Sequence, residues 1–322
     1  MSMPALFKNR LRIPVIGSPM FIVSVPDLVI AQCKAGIVGA FPALNARPPA
    51  LLDEWLARIK EELAAHDKAH PERPSAPFAV NQIVHRSNNR LEHDLALCEK
   101  HKVPMLITSL GAREDLNQAA HGWGALVFHD VINQKFAHKA VEKGADGLIL
   151  VAAGAGGHAG TLSPFAFVAE TRAWFDGPLA LSGAIGTGRA IRAARVLGAD
   201  FAYIGSAFIA TEEANAVDRY KQMVAASGAE DIVYSDLFTG VHGNYLKPSI
   251  AAAGMDPDNL PQSDPSQMNF GTDDSGERHK PKAWKEIWGS GQGIGSVSRV
   301  VPAAELIARL AAEYDAAVDP PL

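Results

Sequence analysis

The sequence predicts a (β/α)₈ barrel, in which eight parallel strands form a ring inside a layer of helices. Short apolar runs alternate with helical segments from residue 13 to residue 209, without an all-β or all-α block between them. The alternation repeats eight times, which favours a closed barrel. The alternative is an open doubly wound sheet, which would carry GxGxxG after its first strand, where this chain has GSPMFIVS.

The strands are predicted at 13–20, 36–42, 77–85, 103–111, 125–131, 147–153, 178–185 and 201–209. Helices are predicted between them, beginning with 26–34, 50–66, 88–100, 112–120 and 133–143. Pro26 suits a first helical turn, where its missing N–H is harmless. The helix 50–66 carries Leu, Trp and Ile at helical spacing. Gly144 then supplies a C-terminal stop for the helix before it.

The amino-acid composition changes at residues 228–298, where Pro, Asp, Gln, Ser and Asn are frequent. This segment is too long for a plain loop. We therefore expect a barrel at 1–227, an accessory lid region over one barrel mouth at 228–298, and a final segment at 299–322. An amphipathic helix at 303–316 is predicted to return to the barrel wall.

Composition limits the classes of function. The 322 residues are 48% hydrophobic and 20% charged, which is typical of a globular protein. A net charge of −5 gives no electrostatic reason to expect nucleic acid or an anionic membrane as a partner. Cys33 and Cys98 lie in predicted helices without a CxxC motif, so we expect reduced thiols and a cytoplasmic location. The N-terminus lacks a signal-peptide pattern, and no apolar run reaches the length of a membrane span.

Two loops at the ends of the seventh and eighth strands predict a phosphate site. They contain Ser182, Gly183 and Ala184 in the first loop, and Gly205 and Ser206 in the second. Barrels of this class bind phosphate there, through backbone N–H groups and the N-terminus of a following helix. Neither loop contains lysine or arginine, so backbone dipoles would hold one terminal phosphate, as in FMN. For either loop alone, glycines that only make tight turns remain an equal alternative.

Other strand ends could contact the rest of such a cofactor. Gly17-Ser18-Pro19-Met20 places backbone where a flat ring could press against it, and Asn81 offers both a donor and an acceptor to a ring edge. A satisfied strand-end amide is the alternative for Asn81. No metal-ligand cluster, Ser/His/Asp triad or calcium loop stands out.

His158 follows AAGAGG at the end of the sixth strand and is the main candidate for catalysis. An imidazole titrates near neutral pH, at about 6.5, so it can act as a general base. The alternative is a surface-loop histidine without a task. His129 ends the fifth strand, from which it could face the same barrel mouth, and His85 and His242 are weaker candidates.

These motifs resemble the flavin-dependent nitronate monooxygenases. The similarity runs through IPVIGSPM, VNQ, GAGGHAG, SGAIGTGRAIRAARVLGADFAYIGSAF and SGQGIG, which together span nearly the whole chain. The resemblance implies an FMN-binding barrel with a small extra domain. It implies that His158 handles a proton on the carbon beside a nitro group, while oxygen is consumed and a carbonyl compound and nitrite are released. The flavin-contact positions that it implies are Pro19, Met20, Asn81, Ser182, Gly183, Gly205, Ser206 and Gln292.

Two residues depart from the family pattern. Asp130 stands where a lysine follows the histidine of the fifth strand, and Val151 stands where an aspartate precedes the glycine run. An oxidase-like flavin reaction needs positive charge near N1 of the ring. The alternative function on the same barrel is therefore an NAD(P)H-dependent reductase of quinones or enoyl thioesters. A non-flavin sugar-phosphate enzyme would need a strand-end Schiff-base lysine or carboxylate. The substrate, and whether the chain forms a homodimer, stay open.

Overall fold

The computed structural model describes residues 4–261 and 287–317. Its main sheet has eight parallel strands, and the bridge between Ile16 and Val38 joins its two ends into a ring. The predicted barrel is confirmed. The barrel strands are β1 (Val15–Gly17), β2 (Gly39–Pro42), β3 (Phe78–Ile83), β4 (Met105–Ser109), β5 (Leu126–Val131), β6 (Gly147–Val151), β8 (Leu179–Ser182) and β9 (Phe201–Ile204).

The helices follow the strands in the expected rhythm. They are α1 (Pro26–Lys34), α2 (Leu51–Ala69), α3 (Leu91–Lys100), α4 (Glu114–Gly122), α5 (Gln134–Glu142), α6 (Pro164–Arg172), α7 (Gly188–Leu197), α8 (Ser206–Ile209), α9 (Asp218–Ala225), α10 (Lys247–Ala252) and α11 (Ala303–Ala316). Within the described ranges, none of these helices has both the length and the apolar character needed to cross a bilayer.

The eighth predicted strand was wrong in its second half. The apolar run 201–209 forms β9 only as far as Ile204, and Ser206–Ile209 turns into the short helix α8. Ala207, Phe208 and Ile209 are buried, and a short buried apolar run does not show by itself whether it forms a strand or a helix.

Helix α11 completes the outer layer of helices. It packs against α7 and α1, which brings the C-terminal end of the described chain beside the start of the barrel. Leu306, Ile307 and Leu310 share one buried cluster with Ile191 of α7 and Leu28 of α1. The chain between β9 and α11 is therefore inserted between the last barrel strand and the last barrel helix.

A second, three-stranded antiparallel sheet lies outside the barrel. Its strands are β10 (Ile232–Ser235), β11 (Gly243–Leu246) and the two-residue β7 (Gly157–His158). The middle strand β11 pairs with β10 on one side and with β7 on the other. The sheet thus connects the loop after β6 to the proposed accessory region 228–298. The boundaries of that region remain a prediction, and residues 262–286 and 318–322 lie outside the described residues.

Candidate active site

The inward-facing side chains of the barrel form layers. The lower layers are apolar, and Phe7 from the N-terminal segment fills the axis, with its ring centroid 4.9 Å from that of Phe201. Side chains alternate along each strand, so the residues two positions beyond this core also point inward. They form an upper layer at the C-terminal ends of the strands, which we call the inner polar layer. Its members are Asn81, Ser109, Asp130, Val151, Ser182 and Tyr203.

Three members of this layer form a hydrogen-bonded chain across β3, β4 and β5. Asn81 Nδ2 donates to Ser109 Oγ at 2.8 Å and to the Ile107 carbonyl at 3.0 Å. Ser109 Oγ in turn donates to Asp130 Oδ2. Asn81 is 5% exposed, so its amide is a fixed part of the barrel floor.

Asp130 carries the charge of this layer. Burial raises the pKa of its carboxyl group from 3.8 to about 6, and the hydrogen bond from Ser109 opposes that rise. Across the barrel, burial also raises the pKa of the Tyr203 phenol, and the charge of Asp130 adds to this effect. Among the described residues, no basic side chain forms an ion pair with Asp130.

His129 does not face the barrel mouth, and that expectation was wrong. Its Nδ1 lies 2.6 Å from Thr108 Oγ1, and both residues occupy positions that alternate with the inward-facing Phe128 and Ile107. A strand side chain lies on the opposite face from its neighbour, so the inward position belongs to Asp130. Burial lowers the pKa of His129 to about 4, so its ring is neutral at physiological pH.

The loop after β8 has an unusual backbone. Gly183 has φ +135° and Ala184 has φ +53°, so two consecutive residues lie at positive φ. A Cβ at Gly183 would lie 2.6 Å from the Ala153 carbonyl oxygen. Only glycine fits there without moving the backbone. Ala184 bears strain of the kind that is found at ligand-binding turns.

The predicted loop residues and Gln292 form one cluster at the ends of β6, β8 and β9, which we call the glycine cluster (153–156, 182–184, 205–206 and 290–292). The Gly154 carbonyl accepts from the N–H of Ala184 at 3.3 Å and from that of Gln292 at 2.9 Å. Ser206 Oγ accepts from the Gly291 N–H at 2.8 Å. The four segments thus hold one another in place.

The end of β1 borders the glycine cluster. A Cβ at Gly205 would lie 3.2 Å from Ser18 Cβ and 3.5 Å from Met20 Sδ. Pro19 lies between these two residues in the chain. The Met20 N–H donates to Ser24 Oγ at 2.9 Å, which fixes the turn after β1. The Pro19–Met20 segment therefore lies beside the loop that contains Gly205 and Ser206.

Helix α7 does not offer its N-terminus to the loop before it. Thr187 Oγ1 accepts from the Ala190 N–H at 3.1 Å, and Glu313 Oε2 of α11 accepts from the Gly188 N–H at 2.7 Å. Both acceptors use N–H groups of the first turn, which an anion would otherwise bind. The expected help from a following helix is therefore wrong for this loop. Helix α8 begins directly at Ser206 in the second loop.

His158 belongs to the outer sheet rather than to the barrel. It lies in β7 opposite Gly243, and its Nε2 is 3.0 Å from Thr239 Oγ1. Thr239 Oγ1 also lies 3.0 Å from the Val241 carbonyl oxygen, which can only accept, so we infer that the hydroxyl donates there and accepts from His158 Nε2–H. In that tautomer the basic nitrogen is Nδ1. Burial lowers the pKa of His158 to about 4, so the ring is neutral at physiological pH.

The structure thus separates the predicted residues into three groups. The glycine cluster and Pro19–Met20 lie at one side of the mouth, Asn81 lies in the inner polar layer, and His158 lies on the outer sheet. The sequence analysis missed Ser109, Tyr203 and Thr239. Ser109 and Tyr203 could be found by extending, along β4 and β9, the alternation of inward-facing and outward-facing side chains that the apolar core residues begin. Thr239 could not, because 81 residues separate it from His158.

Comparisons with known proteins agree with this architecture. A family model for nitronate monooxygenase matches residues 5–313. A nitronate monooxygenase of Paraburkholderia phytofirmans is 25% identical, and the match covers 95% of this chain and 93% of that protein. A (3aS,4S,5R,7aS)-5-hydroxy-7a-methyl-1-oxo-octahydro-1H-indene-4-carboxyl-CoA dehydrogenase of Rhodococcus jostii is also 25% identical. That match covers 71% of this chain but spans only 61% of the length of the dehydrogenase.

Solved structures show the same fold. A nitroalkane oxidase from Streptomyces ansochromogenes superposes with a TM-score of 0.78 at 22% identity, covering 97% of this chain and 99% of that one. FabK from Thermotoga maritima superposes with a TM-score of 0.75 at 19% identity, covering 98% and 97%. At these identities the two structures establish the fold alone.

Proposed function

The chain belongs to the nitronate monooxygenase family of oxidoreductases, and we propose that it is an FMN-dependent enzyme that oxidises alkyl nitronates with O₂ to a carbonyl compound and nitrite. The single observation that supports this proposal most strongly is the glycine cluster. It joins the loops after β8 and β9 and leaves no room for a side chain at Gly183.

The residues present fit an FMN phosphate. The two loops contain no basic side chain, so backbone N–H groups and the Ser206 hydroxyl would bind the phosphate. Ser290 Oγ lies in the same cluster, is buried and has no hydrogen-bond partner within the described residues. A buried hydroxyl without a partner costs about 1–3 kcal/mol, which a bound ligand can recover.

With its phosphate in the glycine cluster, FMN would have its ring over the barrel mouth. We propose that Pro19 and Met20 contact the ring and that Asn81 offers only its amide oxygen to the ring edge, because its Nδ2 already donates to Ile107 and Ser109. Gln292, whose N–H is held by the Gly154 carbonyl, would close the site from above. FMN supplies the electron-accepting ring, and the protein supplies its binding, orientation and proton transfers.

His158 is proposed to move the substrate proton. A neutral imidazole with Nδ1 as its basic atom can remove the proton from the carbon beside a nitro group, which converts a nitroalkane to its nitronate. The overall reaction balances without added electrons, since two nitronate anions and one O₂ give two carbonyl molecules and two nitrite ions. The protein side chains are therefore needed only to orient the substrate and to remove the proton from the carbon beside the nitro group.

A second candidate is an NAD(P)H-dependent reductase of quinones or enoyl thioesters. Asp130 favours it, because the barrel floor carries an acid and no described cation faces that acid. A negative charge below the ring opposes an anionic reduced flavin, which oxidase-like chemistry requires.

One experiment separates the two functions. The FMN-loaded protein is mixed without oxygen with NADH, with NADPH, or with propyl-2-nitronate, and the flavin absorbance is followed by stopped flow. We expect bleaching by the nitronate and none by the nicotinamides. Rapid bleaching by NADH or NADPH alone would establish the reductase instead. A protein that binds no FMN at micromolar concentration would overturn both.

Thr239→Val is expected to lower kcat for nitroalkane oxidation about tenfold with FMN still bound, because the imidazole loses the acceptor that orients it. Steady-state oxygen consumption measures kcat, and flavin absorbance measures loading. Thr239→Ser retains the hydroxyl and is the matched control, for which we expect near-normal turnover. Equal activity of the valine variant and the original protein would rule out this positioning role.

A further inference from the structure

Asp130 is a half-buried, inward-facing acid that the proposed proton transfer from substrate does not use. It lies in the inner polar layer, at the centre of the barrel floor, two residues beyond the core residue Phe128. A buried carboxylate is costly unless a cation or hydrogen bonds compensate it. Here Ser109 Oγ supplies a hydrogen bond, and Asn81 holds that hydroxyl in place.

The groups that face Asp130 are neutral. On β4 the facing side chain is Ser109, on β6 it is Val151, and across the barrel on β9 it is Tyr203. The raised pKa of Tyr203 keeps its phenol protonated over the physiological range. His129, on the outer face of the same strand, is neutral because its pKa is lowered. Nothing in the described surroundings therefore fixes the charge of Asp130 at −1.

This environment makes Asp130 responsive to a change in nearby charge. Burial places its pKa at about 6, close to physiological pH. A second negative charge in the same low-dielectric space disfavours the carboxylate and raises its pKa further. Two electrons entering a bound flavin would introduce such a charge.

We propose that Asp130 is a redox-linked proton acceptor, which takes up one proton when two electrons enter the flavin bound over the inner polar layer and releases it when they leave. The inference rests on the proposed FMN site. An FMN whose phosphate binds in the glycine cluster has its ring over the barrel mouth, and the inner polar layer is the floor of that mouth. For each electron pair, one proton goes to the flavin and one converts the Asp130 carboxylate to the acid. In turnover the pair comes from the substrate and leaves to O₂.

The reduction potential of the bound FMN tests this proposal without measuring turnover. The protein is reduced slowly with xanthine, xanthine oxidase and a redox mediator between pH 5.5 and 8.5, beside a reference dye. For a two-electron couple, each proton taken up lowers the potential by about 30 mV per pH unit. Above pH 6, we expect the potential of the original protein to fall by about 30 mV per pH unit more than that of Asp130→Asn, which cannot titrate.

A second variant tests the hydrogen-bonded chain. The Ser109 hydroxyl lowers the pKa of Asp130, so removing it in Ser109→Ala raises that pKa. The pH at which the steeper slope begins should therefore move upward in Ser109→Ala, whereas in Asp130→Asn the steeper slope should be absent. A structural role of Ser109 alone would not move this pH.

Equal slopes in the original protein and Asp130→Asn, with FMN bound to both, would overturn the inference and leave the proposed function intact. Failure of the original protein to bind FMN would overturn both. If Asp130→Asn does not fold, proton uptake on reduction of the original protein is measured with an indicator dye in weak buffer at pH 7. Uptake of about two protons per bound FMN supports the proposal, and uptake of one refutes it.

Discussion

Replacing His158 by alanine is expected to lower kcat for nitroalkane oxidation about 10²–10⁴-fold, the usual contribution of a positioned proton-transfer group. The bound FMN should be retained, because His158 lies on the outer sheet and the glycine cluster lies at the strand ends. Oxygen uptake measures turnover, and the visible flavin spectrum measures loading. A preformed nitronate has already lost its carbon proton, so we expect a smaller loss with that substrate.

His242→Ala is the matched control for His158→Ala. This imidazole lies in the accessory region 228–298, beside Gly243, which pairs with His158; it stacks on Tyr234 with a centroid distance of 5.0 Å and has no role in the proposed chemistry. We expect its turnover to stay within a few-fold of normal. Undiminished kcat in His158→Ala, or an equal loss in both variants, would contradict the role given to His158.

Gly183→Ala is expected to weaken FMN binding about 10–100-fold, because an added Cβ costs about 1–3 kcal/mol at this backbone conformation. The φ of +135° disfavours any L side chain, and the Cβ would meet the Ala153 carbonyl oxygen at 2.6 Å. The loop would have to move, and with it the N–H groups proposed to hold the phosphate. Quenching of FMN fluorescence during titration gives the Kd.

Gly122→Ala is the matched control, which replaces a glycine by alanine away from the proposed phosphate site. Gly122 lies at the end of α4, and a Cβ there would meet no atom within 4 Å. We expect unchanged FMN affinity and an equal or slightly higher melting temperature for the protein without flavin, because alanine is favoured over glycine in a helix. If Gly183→Ala binds FMN as tightly as Gly122→Ala, the phosphate does not lie at this loop.

Much of the barrel could be predicted from the sequence, because each strand–helix unit has its own hydrophobic periodicity. Helices 26–34 and 303–316 were predicted with the bounds that they have. The predicted strands were mostly too long. An apolar run continues beyond the last residue that pairs with a neighbouring strand, into loops that are also buried. The run 201–209 shows this most clearly, since its second half is helical while its residues remain buried.

The residues of the candidate site could be predicted from the sequence only in part. Glycines at strand ends pointed to the two loops, since backbone conformation restricts residue type directly. The position of His129 was mispredicted because one residue of register on a strand exchanges the inner face for the outer. The partner of His158 lies in an irregular segment without periodicity, and only the folded chain brings Thr239 to it.

The order of elements also has a consequence for biosynthesis. Helix α11 is the last element of the chain that the structure describes, yet it covers apolar surface on the first helix, α1. As the nascent chain leaves the ribosome at about 5–20 residues per second, this surface stays open to water until α11 has been synthesised. A chain truncated before α11 would leave the apolar surface around Leu28 exposed to water.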